Sequence, residues 1–194
     1  MGRPGVKDQL VDRALGVLLE RGFDGTSVND LVAAAGIPKG SFYNYFSSKE
    51  DFAVEQVTRY VQSLGLDELL IPASSNLTLV HQHFERQVTT RRAAKMKTGC
   101  LLSVFSISVS DAHPDLRGAV RDGFRQWIAA LTAALARARD AAEMNSAADP
   151  ADIASALVDS FQGALIRSRA IGRRTPLNQF LDNTFNTLTR PSLT

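Results

Sequence analysis

Apolar residues repeat with the spacing of one helix face along almost the whole chain, and this feature limits the possible folds most strongly. In residues 7–21 the repeat runs i, i+1, i+4, i+5, i+8 and i+9, as one wide stripe on a helix requires: Leu10, Val11, Ala14, Leu15, Leu18 and Leu19. Similar stripes, preceded by capping residues or by proline, predict further helices near 27–35, 38–46, 51–64, 77–88, 114–140, 150–171 and 176–188. The sequence therefore predicts an all-α protein.

The segment "LSVFSISVS", residues 102–110, departs from this pattern. It alternates apolar residues with serine almost strictly, and that period alone favours a half-buried strand. A lone strand among helices would leave its backbone hydrogen-bonding groups without partners, so we predict a helix here as well. The expected total is about nine helices, with a joint at 65–76, where Pro72 and a Ser-Ser-Asn cluster interrupt the helical pattern.

The composition is that of an ordinary folded protein. The 194 residues are 44% hydrophobic and 22% charged, enough for one sizeable core or for a small head attached to a larger body. No apolar run reaches the roughly 20 residues that cross a bilayer. The first ten residues show no signal-peptide core, and the single cysteine excludes an internal disulfide. We therefore expect a cytoplasmic protein without a membrane partner.

The charge distribution does not by itself indicate nucleic-acid binding. The formal net charge is +2, but residues 1–60 carry seven Lys and Arg against eight Asp and Glu. The positive surplus lies at 86–97 and 167–190 instead. A DNA-binding function therefore has to follow from the geometry of the helices rather than from a basic N-terminal domain.

Two short helices joined by "AAGIP" predict a helix-turn-helix. Ser27 and Asp30 have capping-box spacing at the start of the first helix, and Gly36 ends it. Pro38, whose fixed φ suits a first helical turn, begins the second helix. In a helix-turn-helix, this second helix enters the major groove of DNA.

The second helix separates into an inner and a leading face. Phe42 and Phe46 lie four residues apart and would anchor it to the core. The leading face then consists of Lys39, Gly40, Ser41, Tyr43 and Asn44. Lys39 and Asn44 can reach base edges or phosphates, and the hydroxyls of Ser41 and Tyr43 can add hydrogen bonds.

The stretch from Leu18 to Phe52, "LLERGFDGTSVNDLVAAAGIPKGSFYNYFSSKEDF", resembles the TetR family of transcriptional regulators. It follows the family's order of a small-residue turn, Lys-Gly, aromatic-Tyr-x-Tyr-Phe and Ser-Lys-Glu-Asp. The resemblance implies an N-terminal three-helix helix-turn-helix head at 1–50 and a larger C-terminal helical body at 51–194 for ligand binding and dimerisation. It also implies double-stranded operator DNA and a small-molecule effector as partners, with no cofactor.

The same resemblance assigns roles to residues of the head. The phosphate-contacting positions are matched by Thr26, Ser27, Tyr45 and Lys49. The groove-facing positions are matched by Lys39, Gly40, Ser41 and Tyr43. Asn44 stands at a position that varies within the family, and Pro38 replaces the small polar cap that the family commonly has. Arg3 resembles a basic arm that enters a minor groove, with a disordered terminus as the alternative.

The resemblance further implies that the body dimerises through its last two long helices, and two apolar stripes support this. The stripes are Leu157, Phe161 and Leu165 on one helix and Leu177, Phe180, Leu181, Phe185 and Leu188 on the next. Four such helices from two subunits form a bundle. The alternative is that the stripes are buried within their own subunit.

Cys100, in "KTGCLLSVFS", is the candidate sensor of the body. The Gly-Cys-Leu-Leu run and the following "HPDLRGAVRDGFRQW" are similar to a TetR subgroup that senses reactive electrophiles or small unsaturated acids. A place near a helix N-terminus and after Lys95 and Lys97 would favour the reactive thiolate. Inert packing is the alternative. Further effector-site candidates, each with core packing as the alternative, are Phe84, Val88, Phe105, Phe124, Trp127 and Phe161, with Ser103, Ser106 and Gln162 as polar contacts.

The rival hypothesis is a small helical enzyme or a ligand carrier that uses the C-terminal cavity. The sequence contains no phosphate loop and no nucleophile–base pairing by motif. His81 and His83 point in different directions on a helix and have no third ligand beside them, so we expect no metal site. We therefore expect a DNA-binding regulator, in the first place a repressor, and not an enzyme.

Overall fold

The computed structural model describes residues 5–93, 99–144 and 148–189, and within these ranges every regular element is a helix. The helices are α1 Val6–Arg21, α2 Val28–Ala35, α3 Lys39–Tyr43, α4 Lys49–Ser63, α5 Leu66–Leu70, α6 Asn76–Ala93, α7 Leu101–Ser108, α8 Pro114–Asp140, α9 Pro150–Ile171 and α10 Thr175–Thr189. The predicted all-α fold is confirmed, with one described helix more than expected. None of the helices, over the residues described, is long and apolar enough to cross a membrane. Arg3, Lys95 and Lys97, to which the sequence assigned roles, lie outside the described residues.

The additional helix is α5, in the stretch that the sequence predicted to be a joint. Gly65 precedes it with a left-handed backbone, φ 69°. Leu66 and Leu69 are buried on one side of this single turn, whereas Leu70 is exposed. Burial of the two leucines stabilises a five-residue helix that could not persist alone. The predicted joint is therefore limited to residues 71–75, which are not helical.

Helix α7 resolves the ambiguity at 102–110 in favour of the predicted helix for residues up to Ser108, while Val109 is an extended C-cap and Ser110 is not helical. Its serines are compatible with a helix because their hydroxyls donate to carbonyl groups four residues earlier. Ser106 Oγ donates to Leu102 O at 2.8 Å, and Ser108 Oγ donates to Val104 O at 3.5 Å. Ser106 and Ser108 thus satisfy their hydroxyl donors inside the helix rather than marking the solvent face of a strand.

Helix α3 is shorter than predicted, because it ends at Tyr43 rather than at Phe46. Asn44 is its C-cap, and the N–H of Phe46 donates to Phe42 O at 3.1 Å in the turn that follows. Pro38 is the N-cap and contributes no side-chain hydrogen bond. The two phenylalanine rings still contact each other, with centroids 5.6 Å apart, so the predicted anchoring survives although the second ring lies beyond the helix.

The described residues form two compact units. The first contains the described residues of Met1–Val61 and Thr98–Gly123, and the second contains those of Gln62–Lys97 and Phe124–Thr194. Each unit is therefore built from two separate stretches of chain. The predicted boundary between residues 50 and 51 divides functions rather than compact units, and it stays a prediction.

Aromatic rings form much of the core of the first unit. Phe42, Phe46 and Phe52 are buried, and their centroids lie between 5.0 and 5.6 Å apart. Phe23, in the turn after α1, meets Phe105 of α7 edge-on at 6.1 Å. Each fully buried ring contributes about 1.5–3 kcal/mol to the free energy of folding, because its apolar surface is removed from water. The turn after α1 and helix α7 therefore belong to one core.

The second unit is organised around four rings from four helices. They are Phe84 of α6, Trp127 of α8, Phe161 of α9 and Phe180 of α10, with contacting centroids 5.1 to 6.1 Å apart. Inside this cluster the indole Nε1 of Trp127 donates to Nε2 of His83 at 2.8 Å. The cluster ties the four long helices of the unit together.

Candidate DNA-binding surface and effector region

The capping box predicted at Ser27 is present and fixes the start of α2. Ser27 Oγ accepts from Asp30 N at 3.2 Å, and the Asp30 carboxylate accepts from Ser27 N at 2.8 Å. Arg21 Nη1 donates to the same carboxylate at 3.2 Å. The hydrogen bonds from the side chain and backbone of Ser27, helped by the charge of Arg21, hold the pKa of Asp30 below its usual range. The carboxylate therefore stays charged at the start of α2, where it complements the helix dipole.

The turn between α2 and α3 is fixed from α1. Gly36 adopts φ 68° and ψ 37°, a left-handed conformation that favours glycine. The carbonyl of Ala35 accepts from Gln9 Nε2 at 2.9 Å and from Arg13 Nη1 at 3.2 Å. These bonds satisfy an orphan carbonyl at the end of α2 and hold the angle at which α3 leaves the turn.

Helix α3 presents to solvent the face that the sequence predicted. Its exposed residues are Lys39, Gly40, Tyr43 and Asn44, with Ser41 half-buried. Tyr43 keeps 56% of its surface exposed while its ring packs edge-on against the buried Phe42 at 5.3 Å. A Cβ added to Gly40 would meet nothing within 4 Å, so the backbone of α3 is open to close approach by a large partner.

Two of the four predicted phosphate-contacting residues are exposed, and two serve the protein's own structure. Ser27 and Tyr45 are exposed. Thr26 is buried, and its hydroxyl donates to a backbone carbonyl of the same turn at 2.7 Å. Lys49 Nζ donates to the carbonyls of Phe23 and Thr26 at 2.9 and 3.0 Å, and it lies 4.0 Å from the centroid of the Phe23 ring. Phosphate binding by Thr26 and Lys49 stays a prediction, while both side chains stabilise the turn between α1 and α2.

Ser48 and Asp51 have the spacing of a capping box at the start of α4, but only half of the box is formed. Asp51 N donates to Ser48 Oγ at 3.0 Å, which is the half that is present. The Asp51 carboxylate, however, accepts from Ser47 N and Ser47 Oγ, at 2.9 and 3.1 Å, instead of returning to Ser48 N. The carboxylate thus caps the chain one residue earlier than the motif requires.

Glu50, which the sequence did not indicate as functional, links the start of α4 to the start of α8. Its Oε1 accepts from Asp115 N at 3.0 Å and from Leu116 N at 3.1 Å. The donors lie 65 and 66 residues further along the chain. No local motif can signal such a contact.

Cys100 is fully buried at the N-cap of α7, in the first unit. Its carbonyl accepts from Val104 N at 2.9 Å, and its thiol makes no capping hydrogen bond. Three further effector candidates lie on the same helix, where Phe105 is buried, Ser103 is half-buried and Ser106 is exposed. The expected position at a helix start is confirmed, whereas sensing stays a prediction, because a buried thiol reacts only when the surrounding structure opens.

The remaining effector candidates belong to the second unit. The buried ones are Phe84, Val88, Trp127 and Phe161, and the half-buried ones are Phe124 and Gln162. The sequence missed His83, which is fully buried and accepts the hydrogen bond of Trp127. Because Nε2 accepts this bond, the neutral ring carries its proton on Nδ1. No three or more His, Cys, Asp and Glu among the described residues are grouped to hold a metal ion.

The outer face of α9 and α10 contains an open groove of about 370 Å³. It is lined by Ser160, Gly163, Ala164, Arg167, Pro176, Gln179, Phe180, Asn183 and Thr184. Ile166 and Ile171 of α9 keep more than half of their surfaces exposed. The stripes predicted to form the dimer contact are instead largely buried within the chain itself, as the alternative held: Leu157, Phe161, Leu165, Leu177, Phe180, Leu181 and Phe185.

Glu143, in the loop after α8, caps the start of α6. Its Oε2 accepts from Ser75 Oγ and Leu77 N, both at 2.8 Å, and its Oε1 accepts from Asn76 N at 3.1 Å and Asn76 Nδ2 at 3.4 Å. Burial raises the pKa of this carboxyl, but the hydrogen bonds from Leu77, Asn76 and Ser75 outweigh burial and hold the pKa below its ordinary 4.5. Glu50 and Glu143 thus cap two different helices by the same chemistry.

Comparison with known families relates most of the chain to one group of proteins. The family described as bacterial regulatory proteins, tetR family, matches residues 10–55. The family described as tetracyclin repressor-like, C-terminal domain, matches residues 77–184. The two matches include the helix-turn-helix, α6 except for its first residue, and the whole of α7, α8 and α9.

Individual relatives extend over nearly the full chain. The HTH-type transcriptional repressor DhaR of Mycobacterium sp. (strain GP1) is 32% identical over 192 residues, which cover 97% of this chain and 94% of DhaR. The HTH-type transcriptional repressor NemR of Escherichia coli (strain K12) is 30% identical over 178 residues, 90% of this chain and 89% of NemR. The crystal structure of reduced E. coli NemR has a TM-score of 0.83 at 29% identity, covering 97% of this chain and 100% of that one. A cysteine mutant of CifR complexed with 26-bp double-strand operator DNA shares the fold, with a TM-score of 0.82 at 20% identity, covering 96% of this chain and 100% of that one.

Proposed function

Because the chain belongs to the TetR family of bacterial transcriptional regulators, we propose that it is a homodimeric, cytoplasmic repressor that leaves its operator when an effector acts on it. The exposed face of α3 carries the proposal. Its large polar and aromatic side chains stand in solvent, and the helix-turn-helix beneath them is fixed by a capping box, a left-handed glycine and bonds from α1.

Helix α3 suits the major groove because its two sides are chemically separate. Phe42 holds the helix to the core, while Lys39, Tyr43 and Asn44 offer an ammonium, a phenol and an amide to base edges and phosphates. The open backbone at Gly40 lets the helix come close to the groove. In a dimer, two such helices would read half-sites about 34–36 Å apart on a near-palindromic operator.

The outer face of α9 and α10 is the proposed dimer interface. It combines exposed Ile166 and Ile171 with a groove that is open at Gly163, where an added Cβ would meet nothing within 4 Å. A two-fold contact through this face would join four helices in a bundle and bury the two isoleucines of each subunit. The interface therefore uses the exposed side of the helices rather than the buried stripes, of which Phe180 also lines the groove.

The effector is proposed to be a small molecule bound among the effector candidates of the body. The ring cluster around Trp127, with the polar groups of His83 and Gln162 close in sequence to its members, has the composition of small-molecule sites, which are mostly apolar with a few polar groups. Such a molecule releases DNA only if it binds one conformation of the dimer more tightly than the other. Modification of Cys100 is the alternative input, and it is supported by the relative NemR, for which a reduced form has been crystallised.

Fluorescence anisotropy across a salt series tests this proposal. The wild-type protein should bind duplexes selected from a random-site pool, and its affinity should fall as salt rises because phosphate contacts release counterions. Tyr43→Ala removes the most exposed ring of α3 and should weaken binding by about tenfold, as expected for one good contact, without lowering Tm. Leu70→Ala, which truncates an exposed leucine in the second unit, is the matched control and should bind like the wild type.

The alternatives give different outcomes in the same experiment. An enzyme or carrier has no DNA affinity to lose, so the absence of any selected duplex would refute the repressor proposal. Repeating the titration after alkylation of Cys100 distinguishes the two inputs. Release on alkylation would support the covalent input. Unchanged binding would support a reversible effector if mass spectrometry shows that the buried thiol has reacted, and an inaccessible thiol if it has not.

A further inference from the structure

The start of α8 is completed by a side chain from another helix. A helix begins with N–H groups that have no partner within it. Here Pro114 has no N–H, Asp115 N and Leu116 N donate to Glu50, and Arg117 N donates to the carbonyl of His113 at 3.0 Å. Glu50 therefore satisfies the two donors that α8 leaves open.

The neighbour of Glu50 fastens the same turn of α4 to a different place. Lys49 donates to the carbonyls of Phe23 and Thr26, in the turn that leads into α2. Two adjacent residues thus connect the beginning of α4 both with the entrance of the helix-turn-helix and with the beginning of α8. If the start of α8 moves relative to α4, either the bonds of Glu50 break or α4 moves with it.

Side-chain packing also joins the start of α8 to the first unit, since Leu116 is fully buried and His113 meets Phe23 edge-on with ring centroids 4.8 Å apart. A groove of about 580 Å³ lies between the first turns of the two helices, with Glu50 and Val54 among its lining residues on α4 and Pro114, Asp115 and Gly118 among those on α8. A Cβ added to Gly118 would meet nothing within 4 Å. Glu50 therefore bridges an open groove, and its two hydrogen bonds join the helix starts across it.

We propose that Glu50 is a positioning residue for DNA binding: it holds the first turn of α4, and through Lys49 the entrance of α2, in the arrangement that presents α3 to the operator. The residue acts through hydrogen bonds to α8 and not through contact with DNA. A direct effect of its charge would have the opposite sign, because a carboxylate near the DNA repels phosphates.

The geometry allows a sharp test, because both donors bond to the same oxygen, Oε1. Glu50→Gln keeps a carbonyl oxygen and removes the charge, whereas Glu50→Asp keeps the charge and shortens the side chain by one methylene. On a duplex that the wild-type protein has selected from a random-site pool, Glu50→Gln should stay within about threefold of the wild-type Kd, since a neutral acceptor is weaker but still present. Glu50→Asp should bind about tenfold more weakly, which corresponds to a head that adopts the binding arrangement about one-tenth of the time.

Glu143→Gln separates positioning from a general loss of stability. Glu143 caps α6 in the second unit by the same chemistry, so this variant should lower Tm, as Glu50→Asp does, yet keep the wild-type Kd for DNA. The salt dependence of binding should be unchanged in all three variants, because none of them removes a predicted phosphate contact.

Two results would overturn the proposal. If Glu50→Asp binds like the wild type and Glu50→Gln binds more tightly, the residue acts only through its charge. If Glu50→Asp and Glu143→Gln lose DNA affinity equally, lost stability explains the effect. The proposal requires that Glu50→Gln binds DNA more tightly than Glu50→Asp and that Glu143→Gln binds DNA like the wild type.

Discussion

Replacing Glu143 with glutamine should lower the free energy of unfolding by about 1.5 kcal/mol. Glutamine keeps Oε1 as the acceptor for Asn76 but places an NH₂ group where Oε2 accepts from Leu77 N. The hydroxyl of Ser75 can turn and accept from the new NH₂ group, whereas the N–H of Leu77 can only donate and is left facing a donor. One unsatisfied backbone donor costs about 1–3 kcal/mol, and partial access of water at this half-buried site favours the lower half of that range.

Urea unfolding followed by tryptophan fluorescence measures this loss of stability in the unit that contains Glu143. Trp127 is the single tryptophan of the sequence, and it lies in the second unit with Glu143. With a slope of about 2 kcal/mol per molar urea, the midpoint should fall by about 0.75 M. Asp140→Asn, at a surface carboxylate 3.6 Å from Arg139, is the matched control and should change stability by less than about 0.5 kcal/mol. Protomer concentrations must be equal, because association stabilises the folded chain.

The stability difference should also depend on pH in one direction. The folded-state pKa of Glu143 lies below its ordinary value of 4.5, so the stabilisation is complete above that value and is lost as the pH falls through the folded pKa. The stability gap between the wild type and Glu143→Gln should therefore be complete at about pH 7 and should close as the pH falls below the folded-state pKa of Glu143. Two results would refute the reasoning. One is a urea midpoint for Glu143→Gln that equals that of Asp140→Asn at neutral pH. The other is a stability difference between the wild type and Glu143→Gln that stays unchanged as the pH is lowered.

Two glycines test the surfaces assigned to dimerisation and to DNA. Gly163→Gln places a long side chain in the proposed interface and should produce a monomer in size-exclusion chromatography with light scattering. Its helix content should be retained, because the chain itself leaves room at position 163. Gly16→Gln on α1, where the chain leaves equal room, is the control and should remain a dimer. An unchanged dimer for Gly163→Gln would exclude the outer face of α9 and α10 as the interface. Gly40→Ala should not lower Tm, since alanine favours a helix over glycine by about 1 kcal/mol, yet it should weaken DNA binding in anisotropy titrations by about fivefold or more if the backbone of α3 approaches the groove. Wild-type affinity for Gly40→Ala would show that the approach at this position is not close.

Interactions confined to a few neighbouring residues could be predicted from the sequence. The capping box of Ser27 and Asp30 and the end of α2 at Gly36 depend only on local spacing, and both were found as expected. The serines of α7 were harder, because an alternating pattern satisfies a strand as well as a helix whose hydroxyls bond back to its own carbonyls. The argument that a lone strand has no partner gave the correct answer there.

Contacts between distant segments could not be predicted in the same way. Glu50 meets α8 across 65 residues, and Trp127 meets His83 across 44. Periodicity shows which face of each helix is buried, but not which helix covers it. For the same reason the stripes of α9 and α10 were correctly identified as buried faces and wrongly assigned to the dimer contact, since the rings of α6 and α8 cover them within one chain.

The first compact unit is assembled from the described residues of Met1–Val61 and Thr98–Gly123, so a single crossover between two genes cannot exchange it whole. A hybrid that took only residues 1–50 from another regulator would set foreign side chains against the resident α7 and the resident start of α8. The ring of Phe105 would lose its matched Phe23, and the amides of Asp115 and Leu116 would face whatever replaced Glu50. Transfer of an intact DNA-reading unit requires two exchanges, one on each side of the segment that builds α5 and α6. Operator preference in such a chain is therefore inherited together with residues that lie well outside the helix-turn-helix.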